Sequence, residues 1–373
     1  MNNTICILPW IHMNVSPSGI VSTCCISNHT IGDLSNNTLE EIWNDETIRK
    51  VRREMMNNIV PDSCKVCFER EQITGESVRL HRNDFFDQSI SNISNITNSD
   101  GYVSEMKLKY WDFRFSNVCN YKCRSCSPES SSAWISDYKK LGWDIHYSPK
   151  EINFDIISSQ INNVEFISFA GGEPLLMDEH WRILDLLIDN NRMVDLKYNT
   201  NLSVLSYKGK SVIDYWKKFK NIRVSPSIDE IGERAEIIRH GTIWNDIEKN
   251  INTIISISNI VVQVHITVSV FNVFRLPYII EYLRKLGVQN FHLNMLSEPS
   301  YYHVSILPDI NRHEIIQSLS IPFYLPVIHE LKKPHDSNSM CQFLDITKKL
   351  DKIRNENTFE IIPELKCILK CNT

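Results

Sequence analysis

The stretch Phe115-Ser-Asn-Val-Cys119-Asn-Tyr-Lys-Cys123-Arg-Ser-Cys126 sets three thiols in one short polar loop, directly after an apolar run carrying Trp111, Phe113 and Phe115. Three closely spaced cysteines cannot pair evenly as disulfides. They also fall one ligand short of the four that a structural zinc or a fully protein-held iron–sulfur cluster takes. The loop therefore reads as a metal site with one position open. Two plainer readings stand beside it: a zinc loop that borrows a ligand from elsewhere, and three unligated thiols.

Whether thiols serve metals or disulfides depends on compartment. The chain has 373 residues and eleven cysteines, and its first residues, Met-Asn-Asn-Thr-Ile-Cys-Ile-Leu-Pro-Trp, lack the basic and long apolar regions of a secretory signal. A cytoplasmic location and metal ligation are the expectation. With 42% hydrophobic and 23% charged residues the composition is that of a globular protein, and no apolar run is long enough to span a bilayer. A net charge of −5 argues against a nucleic-acid partner, which would draw its affinity from excess Lys and Arg.

A second group of thiols precedes the loop: Cys6, the pair Cys24-Cys25, and Cys64-Lys-Val-Cys67. Weak alternation from Ile11 to Ser22, broken at Pro17-Ser-Gly19, predicts a hairpin that presents Cys24 on its return strand. Thr38-Leu-Glu-Glu41 is a capping box opening an amphipathic helix through Ile42, Trp43, Ile48 and Val51. Cys64 and Cys67 then form a knuckle that with Cys6 and Cys24 completes four ligands. The site suits either zinc or a [4Fe-4S] cluster, and Cys25 is an alternative to Cys24. From about Thr74 to Glu105 the chain turns polar and low in complexity, which reads as a linker.

From Met106 apolar runs alternate with helical stretches, the mark of βα units on a parallel sheet. Strands are expected at 106–115, 164–170, 194–199, 222–228, 261–270 and 290–296. Helices are expected over 134–141, 175–188, 211–219, 244–257 and 276–286. Chemistry collects where parallel strands end. After the second strand comes Ala170-Gly171-Gly172-Glu173-Pro174, after the third Asn199-Thr-Asn201, and after the fourth Ser227-Ile-Asp229, followed by Arg234 and Arg239. Taken alone, these are also common turn and cap residues or surface ion pairs. His265 and His292 fall within strands and read as barrel lining. No general acid or base stands out.

The Cys-x3-Cys-x2-Cys spacing, with Gly-Gly-Glu-Pro one βα unit later, resembles the radical S-adenosylmethionine (radical SAM) enzymes. The segment from Ile5 to Arg79, with Pro-Trp, a Gly before Cys24, the Ile-Trp-Asn helix and Glu71 beyond the knuckle, resembles their twitch or SPASM-type auxiliary-cluster domain, which in most members follows the barrel. The resemblance implies an α/β fold: a partial (β/α)6 TIM-like barrel over residues 106–300, preceded by a small α+β metal-cluster domain over 1–79 and a linker over 80–105. A C-terminal extension over 301–373 has no assigned role, and its Cys341, Cys367 and Cys371 read as packing or surface thiols. It further implies that Cys119, Cys123 and Cys126 hold a [4Fe-4S] cluster and that S-adenosylmethionine completes it. Gly171, Gly172, Glu173, Asn199, Asn201, Ser227, Asp229 and Arg239 would contact that cofactor, and Cys6, Cys24, Cys64 and Cys67 would hold a second [4Fe-4S] cluster. The implied reaction is reductive cleavage to a 5′-deoxyadenosyl radical and hydrogen abstraction from a peptide or protein side chain, with flavodoxin or ferredoxin as electron donor. A nucleotide or sugar substrate, and a non-catalytic zinc protein on a barrel relic, are the alternatives.

Overall fold

The computed structural model describes residues 4–27, 29–147, 150 and 154–369. They form two compact units: Met1–Asn117 with Tyr147–Lys197 and Lys218–Lys220, and Val118–His146 with Tyr198–Lys217 and Asn221–Thr373. Among the described residues no helix is long and apolar enough to cross a membrane.

In the first unit β1 (His12–Val15) and β2 (Ile20–Ser22) are the expected hairpin, antiparallel with Asn14 opposite Ser22. Gly19 closes its turn at φ 82°, donating its N–H to the Ser16 carbonyl at 2.9 Å. The strand β3 (Thr30–Asp33) extends the hairpin. β1 then pairs in parallel with β4 (Tyr110–Phe113), from His12 opposite Tyr110 to Val15 opposite Phe113. The amino-terminal hairpin thus continues the same sheet as the first βα strand. β5 (Phe166–Phe169) lies parallel on the other side of β4, with β6 (Asp195–Thr200) beyond it. Every residue of β1, β4 and β5 is buried, as a parallel sheet covered on both faces requires.

The second unit carries β7 (Ile222–Pro226), β8 (Ile260–Val268) and β9 (Asn290–Met295), all parallel, with Ile222 opposite Ile260 and Val264 opposite Phe291. Helices Trp244–Ile255 and Leu276–Lys285 bury Trp244, Ile247, Ile251 and Ile254, and Leu276, Ile279, Ile280 and Leu283. That spacing is the single apolar stripe of a helix lying on a sheet. Beyond β9 the chain is helical, its longest element being Ser337–Arg354, capped by Asp336 and ended by Asn355 in the left-handed region at φ 55°.

All six expected βα strands are present. Two expectations are corrected. The capping box at Thr38 and Glu41 forms, but its helix stops at Trp43, and a new one, Glu46–Met56, starts from Asp45, whose carboxylate accepts from the Thr47 N–H. The second cap is favourable enough to interrupt an otherwise continuous stripe. The 80–105 segment, read as a linker, is instead ordered from its start: helices occupy Val78–Phe85, Asp87–Ile90 and Ile93–Ile96. Its polar residues are spent on the protein, since the Asn83 amide donates to the Ile5 carbonyl at 2.8 Å and accepts from the Ile7 N–H at 2.9 Å. Asn83→Ala removes the acceptor of the Ile7 N–H and one of two donors to the Ile5 carbonyl, so it should lower unfolding free energy by about 1–3 kcal/mol in denaturant titration.

Candidate active site

The three-cysteine loop is built within the second unit. Lys122 and Cys123 form a two-residue antiparallel ladder with His240 and Arg239, and the Arg124 N–H continues it to the Ile238 carbonyl at 2.8 Å. The ladder can form because position 241 is glycine: at φ 106°, a Cβ there would sit 3.0 Å from the Asn120 carbonyl oxygen. On the other side the Trp134 indole N–H donates to the Cys123 carbonyl at 2.9 Å, the Ser131 hydroxyl to the Tyr121 carbonyl at 2.5 Å, and the Cys119 N–H to Ser132 Oγ at 3.4 Å.

The sulfurs face donors. Cys119 Sγ accepts from the Tyr121 N–H at 3.5 Å and from Asn201 Nδ2 at 3.8 Å, and Cys123 Sγ accepts from Arg239 Nη1 at 3.6 Å. Cys126 donates to Cys123, and that bond, helped by the Arg239 charge, brings the Cys123 thiol down against the effect of burial. The same bond holds Cys126 in its neutral form and pushes it up, with burial adding.

The strand-end residues divide by what they already hold. The Arg239 Nε donates to Asp229 Oδ2 at 2.7 Å, while Asp229 Oδ1 accepts from the Thr267 N–H at 2.7 Å, so both carboxylate oxygens are engaged and Arg239 is aimed at Cys123. Arg234 instead pairs with Glu364 at 3.0 Å. Asn201 also bonds Asn120 at 2.9 Å and belongs to the cysteine loop's own network. Asn199 Oδ1 is buried without a hydrogen-bond partner, an acceptor suited to a ligand's donor. Ser227 is half-buried, with its N–H on the Thr200 carbonyl at 2.8 Å. Asn272 is spent on the backbone, donating to the carbonyls of Asp229 and Thr267. His265 and His292 lie opposite one another on β8 and β9, ring centroids 5.0 Å apart.

In the first unit Gly171 adopts φ 119°, and a Cβ there would lie 3.2 Å from the Ser116 carbonyl oxygen. The Gly172 N–H reaches that same carbonyl at 3.3 Å. Glu173 is fully buried and its Oε1 accepts from the Leu175 N–H at 3.3 Å, capping the turn at Pro174.

The amino-terminal thiols are also gathered in the first unit. Cys6 is pushed up to about 12 by burial, with Cys64 and Cys67 adding to the rise. Cys24 is raised by burial and by Cys25, Cys6 and Cys64. Cys25 is exposed, and beside its coupling to Cys24 its thiol faces Asp112 and Arg114. Arg79 braces the group: its Nε donates to Glu71 Oε1 at 3.0 Å and its Nη1 to the Ile5 carbonyl at 3.1 Å. Among the described residues no three His, Cys, Asp or Glu side chains are drawn together closely enough to hold a metal ion. The thiols are neighbours whose soft sulfur donors suit iron–sulfur or zinc, and ligation would have to displace their protons. Cys341 is exposed, Cys367 half-buried, and Cys371 lies outside the described residues.

Residues 113–272 match the sequence profile of the radical SAM superfamily, and residues 6–68 that of SPASM, an iron–sulfur cluster-binding domain. The chain carries a radical SAM domain preceded by a SPASM domain. The two domains carry their cofactors with them: a [4Fe-4S] cluster with S-adenosylmethionine for the first, auxiliary iron–sulfur for the second. Among curated relatives, the GTP 3′,8-cyclase of Aliarcobacter butzleri is 26% identical over 130 residues, covering 35% of this chain and 37% of the relative. The probable GTP 3′,8-cyclase of Methanocaldococcus jannaschii is 28% identical over 174 residues, covering 46% and 53%. The chain thus spans about half or less of these relatives' length. Similar solved structures include anSMEcpe with bound AdoMet and Cp18Cys peptide, at 14% identity, TM-score 0.40 and coverage of 55% and 56%. Another is Streptococcus suis SuiB bound to precursor peptide SuiA, at 12% identity, TM-score 0.40 and coverage of 84% and 66%.

Sequence reading missed the Arg79 brace and the aim of Arg239 at a cysteine. A Glu eight residues before an Arg near a knuckle was the only signal for the first. Two outcomes follow. In metal-free protein, Arg239→Gln removes a cation and a donor from the Cys123 sulfur, so its thiolate should appear only at higher pH, read by alkylation rate against pH with peptide mapping. Cys24→Ser should abolish metal at the amino-terminal site while Cys25→Ser retains it, measured by iron and zinc content after anaerobic purification.

Proposed function

We propose that this chain is a radical SAM enzyme that cleaves S-adenosylmethionine reductively and abstracts hydrogen from a carbon of a peptide or protein side chain. The observation that carries the reading is the loop itself: three thiols, two of them facing hydrogen-bond donors other than cysteine, beside an aimed arginine, within the residues matched by the superfamily profile. When bound, the cluster and S-adenosylmethionine supply the electron and the 5′-deoxyadenosyl radical.

The chain's own residues do the holding. Cys119, Cys123 and Cys126 would be the cluster ligands, with the Tyr121 N–H, Asn201 and Arg239 stabilising thiolate charge as hydrogen bonds to an ionised acceptor do. Asp229 keeps Arg239 in its orientation. Asn199 has the buried acceptor for a cofactor donor and Ser227 is a second contact, while the resemblance assigns Gly171, Gly172 and Glu173 to the same cofactor. Cys6, Cys24, Cys64 and Cys67 would hold the auxiliary cluster, which would pass electrons or bind substrate. The peptide reading rests on the SPASM domain and its family precedent, and a small electron-transfer protein such as flavodoxin or ferredoxin would supply the electron. A nucleotide is the second reading, favoured by relatives named GTP 3′,8-cyclase.

Anaerobically purified protein, reduced in the presence of S-adenosylmethionine, should form 5′-deoxyadenosine, and Cys119→Ala, Cys123→Ala and Cys126→Ala should each abolish it. Stoichiometric zinc without S-adenosylmethionine cleavage would overturn the enzyme reading. Deuterium transferred into 5′-deoxyadenosine from a labelled peptide supports the first substrate class, and transfer from labelled GTP supports the second.

A further inference from the structure

The residue between two of the loop cysteines, Arg124, has no side-chain exposure, and a guanidinium keeps its charge when buried. Its partners come from the carboxy-terminal segment: Nη2 donates to Asp351 Oδ1 at 2.6 Å and to Glu356 Oε2 at 2.6 Å. Its Nε donates to the Ile237 carbonyl at 3.2 Å, next to the ladder that carries Arg239. The second oxygen of Glu356 meets His240 Nδ1 at 2.5 Å, so one carboxylate grips both strands of the ladder.

The neighbouring loop residues reach the same segment. Lys122 Nζ donates to Asp137 Oδ1 at 2.9 Å, and Asp137 Oδ2 accepts from Arg354 Nε at 2.9 Å, with both of those partners 1% exposed. The Arg354 guanidinium lies 4.5 Å over the ring of Trp134, whose indole holds the Cys123 carbonyl. Lys122, Cys123 and Arg124 are therefore each tied to residues 351–356, directly or through one side chain. The cations Lys122, Arg124 and Arg354 are matched by Asp137, Asp351 and Glu356. The carboxylates are presented by the end of helix Ser337–Arg354: Asn355 turns the chain at φ 55°, the Glu356 N–H returns to the Asp351 carbonyl at 2.9 Å, and Asp351 Oδ1 accepts from Thr358 Oγ1 at 2.7 Å.

We propose that this carboxy-terminal segment clamps the three-cysteine loop, with Asp351 and Glu356 as positioning residues that act through Arg124. Neither carboxylate touches a cysteine. Their effect is on how often the loop opens, because an unmatched buried guanidinium pulls the loop toward water. The proposal rests on the cluster-site reading only for its iron measurement.

The test uses full-length protein carrying Asp351→Asn together with Glu356→Gln, and Glu356→Asp as the conservative variant. In metal-free protein, timed iodoacetamide alkylation with peptide mapping should show Cys119, Cys123 and Cys126 reacting at least about tenfold faster in the double variant, the order expected for one lost hydrogen bond to a charged group. Cys6, Cys64 and Cys67 should keep their wild-type rates, and Glu356→Asp should fall between. In iron-loaded protein, a chelator should extract the loop's iron faster and leave the amino-terminal iron unaffected. Unchanged loop rates in a folded variant, or parallel acceleration of every cysteine, overturns the clamp. A wild-type loop that takes up no iron overturns the cluster reading instead, while the alkylation result still decides the clamp.

Discussion

An arginine taken out of water keeps its proton, and a carboxylate inside the protein is the partner that best meets its charge. Three such pairs among the described residues lie beside cysteines. Arg79 is met by Glu71 and directs another N–H to the carbonyl of Ile5, next to Cys6. Arg239 is met by Asp229 and directs an N–H to Cys123. Arg124 is met by Asp351 and Glu356 and lies within the cysteine loop itself. In each case the carboxylate fixes the guanidinium and the guanidinium fixes the segment bearing the thiols. Breaking such a buried pair from one side costs roughly 3–5 kcal/mol, far more than a surface pair, because it strands the other charge.

The two cysteine groups differ in how their charge is prepared. Burial raises the Cys6 and Cys24 thiols, so a metal held there would have to displace their protons. In the loop, donors from the backbone, Asn201 and Arg239 already face sulfur, and Cys123 is shifted down. Groups that hydrogen-bond a metal's ligands tune that metal, so these donors would act on any metal the loop held. The SPASM domain, here at the amino-terminal side of the radical SAM domain, joins it through backbone pairing of β1 with β4, which a short mobile tether would not provide.

What could be read from sequence was whatever depends on near neighbours. The hairpin at Gly19, the capping box at Thr38 and the six apolar strands are local patterns, and all are in the structure. The break at Asp45 was missed because two adjacent caps competed for one stripe. The helices after Val78 were missed because polar composition says nothing of partners such as Ile5, which lies 78 residues from Asn83. Asp229 read as a cofactor contact, yet both its oxygens are taken by Arg239 and Thr267, an arrangement with no periodic signature. Arg124 was quoted within the motif and passed over, since nothing local tells a surface arginine from a buried one.

That last pairing bears on the order in which the protein is made. Arg124 is separated from Asp351 by 227 residues and from Glu356 by 232. Chains emerge from the ribosome amino-terminal end first, and folding proceeds on what has emerged. The cysteine loop would leave the ribosome long before the carboxylates that neutralise its arginine, whereas Cys6, Glu71 and Arg79 appear within one short stretch. The two thiol groups are therefore completed at different moments of synthesis: the amino-terminal one early, the three-cysteine loop only when the helix ending at Arg354 has been translated.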